Sequence, residues 1–91
     1  MNTHKPVKVY VPVEVSFEET GQMWPKVITW EDGIKYRIDR VSDVLPAPAM
    51  RGGGQGDRYT VWIRGKQSYL FFERFNAVSG IIPGRWFVER K

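Results

Sequence analysis

Residues 7–17 alternate without a break: Val7, Val9, Val11, Val13, Val15 and Phe17 share one phase, and Lys8, Tyr10, Pro12, Glu14 and Ser16 share the other. A period of two puts every apolar side chain on one face of an extended strand, whereas a helix would scatter them around its axis. The run therefore reads as a long, half-buried β-strand. Pro12 has no N–H to donate to a ladder, so it belongs at an edge or a bulge and predicts a bend that divides the strand in two. Such a bend helps a sheet to roll.

The rest of the chain continues in the same mode. A polar turn at 18–22 leads into a second strand at 23–30, interrupted early by Pro25. Asp32-Gly33 lies between two β-rich runs and predicts a tight hairpin, because glycine accepts the positive φ that such turns need. The returning strand, 34–41, sets Ile34, Tyr36 and Ile38 against Lys35, Arg37 and Asp39. Residues 42–57 contain Pro46, Pro48 and four glycines between 52 and 56, a composition that predicts a long mobile loop. A fourth strand at 58–64 alternates Tyr59, Val61 and Ile63 with Arg58, Thr60, Trp62 and Arg64. A turn at Gly65-Lys66 leads into 68–75, which is apolar in both phases and so predicts a central strand covered on both sides. After a loop at 76–84, residues 85–90 form a closing strand with Trp86 and Val88 in one phase.

Six short strands and no segment of helical period predict an all-β fold, an antiparallel meander curled into a small SH3-like barrel or rolled sheet. The 91 residues suffice for one domain, 1–91, with 1–6 frayed. Side chains fill the interior of a barrel this small, leaving little room for an internal ligand and placing function on the outside.

Several chemistries are disfavoured by residue inventory. There is no cysteine and one histidine, His4, in the frayed terminus, so neither a nucleophile–base pair nor a thiolate metal site can be assembled. Asp39, Asp43 and Asp57 are too dispersed for a carboxylate metal centre. The glycines at 52–56 lack the Lys-Ser/Thr and following helix of a phosphate loop, although Arg51 and Arg58 flank them. The expectation is a protein that is not an enzyme and that needs no cofactor or metal. No apolar run reaches membrane-spanning or signal-peptide length, which predicts a cytoplasmic protein without membrane contact, and no residue pattern identifies a small-molecule substrate.

Charge points outward to macromolecules. Residues 1–32 carry three lysines against five acids, net −2, while residues 33–91 carry eleven basic residues against five acids, net +6, including all eight arginines. If Tyr59, Val61 and Ile63 face the core, Arg58, Trp62 and Arg64 lie on the opposite face, with Leu70, Phe72 and Arg74 beside them and Lys35 and Arg37 on the adjoining hairpin. Arg85, Phe87 and Lys91 extend this patch. Lys35, Arg37, Arg58, Trp62, Arg64 and Arg74 thus form a candidate surface for single-stranded nucleic acid, bases stacking on rings and arginines holding phosphates. Two other arrangements fit the same residues: a second apolar layer beneath 45–50, or a protein-docking or homodimer face built on Trp62, Phe72 and Phe87.

Three segments carry a family resemblance: Trp30-Glu31-Asp32-Gly33-Ile34-Lys35-Tyr36-Arg37-Ile38-Asp39-Arg40-Val41, Gly54-Gln55-Gly56-Asp57-Arg58-Tyr59-Thr60-Val61, and Arg85-Trp86-Phe87-Val88-Glu89. This outline resembles a group of small bacterial all-β proteins without assigned activity, some of which accompany error-prone, Y-family DNA polymerases. The resemblance implies an accessory part in DNA damage tolerance, with a repair polymerase as a partner. It assigns no chemistry to individual residues.

Overall fold

The long alternating run does divide at its proline. In the computed structural model, which describes residues 7–46, 55–74 and 84–90, β1 (Val7–Tyr10) and β2 (Val13–Phe17) belong to different sheets. Two hydrogen bonds make the handover. Val11 N–H donates to the Trp86 carbonyl at 3.1 Å, extending the β1–β8 ladder, and the Pro12 carbonyl accepts from Thr29 N–H at 3.0 Å. The alternation runs on through the corner, so Val9 and Val11 are buried and Val13 and Val15 half-buried.

The other strands are β3 (Met23–Thr29), β4 (Lys35–Arg37), β5 (Arg40–Pro46), β6 (Gln55–Ile63), β7 (Lys66–Arg74) and β8 (Gly84–Arg90). They form a five-stranded sheet ordered β1-β8-β7-β6-β5 and a three-stranded sheet ordered β2-β3-β4, antiparallel throughout. No described segment is helical, and none is a helix long and apolar enough to cross a membrane.

A second corner corrects the reading of 34–41 as one strand. Ile38 N–H bonds to the Lys26 carbonyl at 2.8 Å in the small sheet, and Asp39 N–H bonds to the Trp62 carbonyl at 2.8 Å in the large one. Beyond it, much of the expected 42–57 loop is strand. Pro46 ends β5 at the sheet edge, where its missing N–H costs no ladder bond, and pairs with Asp57. Gly56 is a strand residue facing Glu73, and a Cβ there would fall on the Phe72 carbonyl. Glycine is therefore needed at 56 for close strand approach, not for loop geometry. The remaining part of that expectation, 47–54, lies outside the described residues, as do 1–6, 75–83 and Lys91.

The hairpin at Asp32-Gly33 forms with one residue more than the tightest turn. Gly33 N–H donates to the Trp30 carbonyl and Trp30 N–H to the Ile34 carbonyl, both at 2.9 Å, with Gly33 at φ +85°. Between β6 and β7 the turn is Arg64-Gly65, one residue earlier than expected, with φ of 52° and 77°. Positive φ at both central positions matches the right-handed twist of the flanking strands.

The two sheets enclose one core, comprising Val9, Val11, Ile28, Ile38, Tyr59, Val61, Leu70, Phe72 and Trp86. Trp86 is its aromatic centre, 5.2 Å from Tyr59 and 4.9 Å from Phe72 between ring centroids. The Tyr59 hydroxyl donates to the Met23 carbonyl at 3.0 Å and ties the sheets together. Burial, followed by the charge of Asp57, raises the Tyr59 pKa, keeping this donor protonated.

Candidate nucleic-acid interface

Strand pairing sorts the side chains of the large sheet into two faces, because residues directly opposite one another project the same way. Tyr59 pairs with Leu70 and Phe72 with Trp86, so these four turn inward together. Arg58 pairs with Phe71, Thr60 with Tyr69, Trp62 with Arg40, and Phe87 with both Phe71 and Tyr10. The outer face therefore carries Tyr10, Trp62, Tyr69, Phe71 and Phe87 among Lys8, Arg40, Arg58 and Arg85.

This placement reassigns several expected site residues. Arg58 and Trp62 lie on the outer face, as read from the sequence. Phe72 does not: with Leu70 it is buried in the core, and Tyr69 and Phe71 take the outward positions. The expected cover on both sides of β7 is thus supplied on one side by the small sheet and on the other only by neighbouring side chains. Arg74 follows Phe72's phase to the strand end, where it is paired with Asp57, and that hydrogen bond raises its pKa further. Lys35 and Arg37 project from the small sheet, away from this face, and Lys35 Nζ is 3.5 Å from Glu14. Arg64 curls over Tyr36 of the small sheet, 5.3 Å from its ring centre. There, a cleft of about 290 Å³ opens between the sheets beside Trp30, Tyr36, Ile63 and Val88, so the margin is looser than a filled barrel implies.

On the outer face, cations cap rings. The Arg58 guanidinium sits 4.5 Å from the Tyr69 ring centre, Arg40 4.7 Å from Trp62, Arg85 3.7 Å from Tyr10, and Lys8 Nζ 4.8 Å from Phe87. Phe71 and Phe87 stack in parallel at 4.9 Å. Attraction of a cation to a ring's negative face contributes about 0.5–1 kcal/mol at exposed sites. Arg40 and the paired residue Tyr69 could not be recognised from alternation alone: Arg40 fell in a strand read as ending at 41, and the double-phase apolar run concealed Tyr69.

The two halves of the face differ in charge. Around β1, β8 and β7, Lys8 and Arg85 are matched by Glu73 and Glu89. Partial burial works to raise the Glu73 pKa, but hydrogen bonds from Lys8, Tyr10 and Arg85 outweigh it and hold the carboxyl below its ordinary value. Around β5 and β6, Arg40 and Arg58 face one acid, Asp43, whose carboxylate accepts a 2.6 Å bond from the buried Thr60 hydroxyl. Neither arginine forms an ion pair among the described residues. Arg58 Nε and Trp62 Nε1 are the two buried side-chain polar atoms there that lack a hydrogen-bond partner, and both are donors. No three His, Cys, Asp or Glu side chains cluster among the described residues. Comparison with protein families, curated proteins and solved structures finds no match for this chain.

Proposed function

We propose that this chain is a non-enzymatic accessory domain that binds single-stranded nucleic acid on the β5–β7 half of its outer sheet face. The observation that carries this reading is the adjacent pair of capped rings, Arg58 on Tyr69 and Arg40 on Trp62, with neither arginine in an ion pair among the described residues. A guanidinium lying on a ring offers its other face to a base and its edge to phosphate, so the cap forms part of the platform. A broad sheet face suits splayed single strands better than a duplex groove. The two corners and the β1–β8 pairing support a further reading of the architecture as a rolled, SH3-like barrel. The resemblance to proteins that accompany error-prone polymerases makes a repair polymerase a candidate neighbour in this role.

Titration of labelled single-stranded and double-stranded oligonucleotides at two salt concentrations tests the proposal. Two phosphate-holding arginines imply a log–log salt slope of about −1.4 on single strands, from about −0.7 per contact. Arg40→Gln and Arg58→Gln should each remove about half of that slope. Absence of single-strand binding at low micromolar protein and low salt would sink the reading.

A second reading is docking to another protein or to a second copy. It is favoured by Leu45, Tyr69 and Tyr10, which remain 44%, 43% and 39% exposed on this same face. Phe72 and Phe87 are both withdrawn from that surface, each only 8% exposed, Phe87 beneath Lys8 and against Phe71 and Tyr10, leaving Trp62 with these residues. Light scattering over a concentration series distinguishes it: mass that rises with concentration, and no longer does so in Trp62→Arg, favours self-association.

A further inference from the structure

Glu73 lies on β7, and three donors from other strands converge on its carboxylate. Lys8 Nζ reaches Oε2 at 3.0 Å, the Tyr10 hydroxyl reaches Oε1 at 3.0 Å, and Arg85 Nε reaches Oε1 at 3.4 Å. Lys8 and Tyr10 belong to β1, separated from β7 by the whole of β8. They therefore span two strand spacings, roughly 9–10 Å, to reach a carboxylate whose side chain is only 12% exposed. Two cations and a hydroxyl around one point are the donor set that also suits a phosphate oxygen pair. The adjoining rings hold the donors in place, since Lys8 rests on Phe87 and Arg85 on Tyr10.

We infer that Lys8, Tyr10 and Arg85 form an anion-binding site filled by the chain's own Glu73, an internal counter-anion that confines polynucleotide contact to the Arg40–Arg58 half of the face. The consequence for polynucleotides rests on the nucleic-acid reading above; the anion site itself does not. In the wild-type protein Lys8 and Arg85 are occupied. Glu73→Gln keeps the shape, removes the charge and frees Lys8 for an external anion, with Tyr10 and Arg85 beside it.

The experiment uses the full chain and two probes, a labelled single-stranded oligonucleotide and inorganic phosphate, the second followed through the NMR signals of Lys8, Tyr10 and Arg85. Glu73→Gln should bind the oligonucleotide more tightly, with a salt slope steeper by about −0.7 for the added Lys8 contact, and Lys8→Gln in that background should remove that gain. Lys8→Gln in the wild-type background should change oligonucleotide affinity by less than about twofold, because Lys8 makes no phosphate contact there. Phosphate should shift the three sets of signals in Glu73→Gln and not in the wild type. Loss of wild-type affinity in Lys8→Gln, or a folded Glu73→Gln that takes up no phosphate, overturns the inference. If Glu73→Gln fails to fold, Glu73→Ala replaces it in the phosphate titration and the Lys8→Gln comparison still decides. A wild type that ignores oligonucleotide beside a Glu73→Gln that takes up phosphate refutes the functional reading and leaves the anion site standing.

Discussion

The two faces of the five-stranded sheet are both aromatic, yet their rings are held in different ways. Inside, Trp86 is packed by Tyr59 and Phe72, ring against ring, and the small sheet closes over them. Outside, Trp62, Tyr69 and Tyr10 each carry a guanidinium. Phe87 is the exception, stacked on Phe71 beneath Lys8 and as buried as Phe72; for Trp62, Tyr69 and Tyr10 the presence of a guanidinium marks the surface. An apolar partner excludes water and stabilises the fold, whereas a charged partner keeps a ring at the surface while shielding part of its area.

The sharpest way to break this contrast is to truncate one indole from each face. Trp86→Ala should destabilise the protein by about 3–5 kcal/mol, the usual cost of emptying a core aromatic site. Trp62→Ala should cost no more than about half as much, since its ring is only half-buried. Urea denaturation of the two variants measures both, and equal losses would mean that the outer face is structurally a second core.

Backbone closeness beneath the inner face gives the next effect. A Cβ at Gly84 would fall on the Glu73 carbonyl oxygen and the Phe72 ring. Gly84→Ala should cost about 1–3 kcal/mol through displaced packing, read as a lowered urea midpoint, while surface substitutions nearby should not.

Acid titration sharpens the contrast from the outer side. Because the folded-state pKa of Glu73 lies below the ordinary value of 4.5, its contribution is complete above that value and is lost as pH falls through the lower, folded one. Thermal melts should therefore show wild type above Glu73→Gln at neutral pH, with the gap closing below about pH 4.5 and no reversal on the alkaline side. A gap independent of pH would assign the difference to packing.

The smallest effect belongs to the turn between β6 and β7. Arg64 holds φ at 52°, a conformation that Asn adopts more readily than Arg. Arg64→Asn relieves the backbone and keeps the bond from residue 64 N–H to Asp39 but gives up the guanidinium on Tyr36, so the urea midpoint should report a net change within about 0.5 kcal/mol of zero.

Much of this architecture is legible in the chain because a half-buried strand must alternate. The stripe from Val7 to Phe17, the bend at Pro12, the Asp32-Gly33 hairpin and the inward phase of Tyr59 and Val61 all follow from period and turn chemistry. The phase of β7 does not, because Tyr69, Leu70, Phe71 and Phe72 are apolar on both sides and carry no alternation of their own. Parity across a two-residue turn would have resolved it: Leu70 falls opposite Tyr59, so Leu70 and Phe72 must follow Tyr59 and Val61 inward. The same slip placed Phe72 in the candidate site and left out Tyr69. Proline and glycine counts also misled at 42–57, since an edge strand tolerates a terminal Pro46 and a close strand pair requires Gly56. Lys35 and Arg37 do not join Arg58 because the chain changes sheets at Ile38-Asp39, which nothing local reveals, and Arg64 does not because its positive φ in the turn takes it out of the alternation of β6.

That change of sheet, with its counterpart at Val11-Pro12, ties the fate of the two sheets together. Each corner is spliced by backbone bonds into both ladders within two residues, so a slip of one residue in either sheet would have to be matched in the other. Neither sheet is free to fray, swap or swing open alone, and the domain should lose its ordered amides to solvent exchange in a single step.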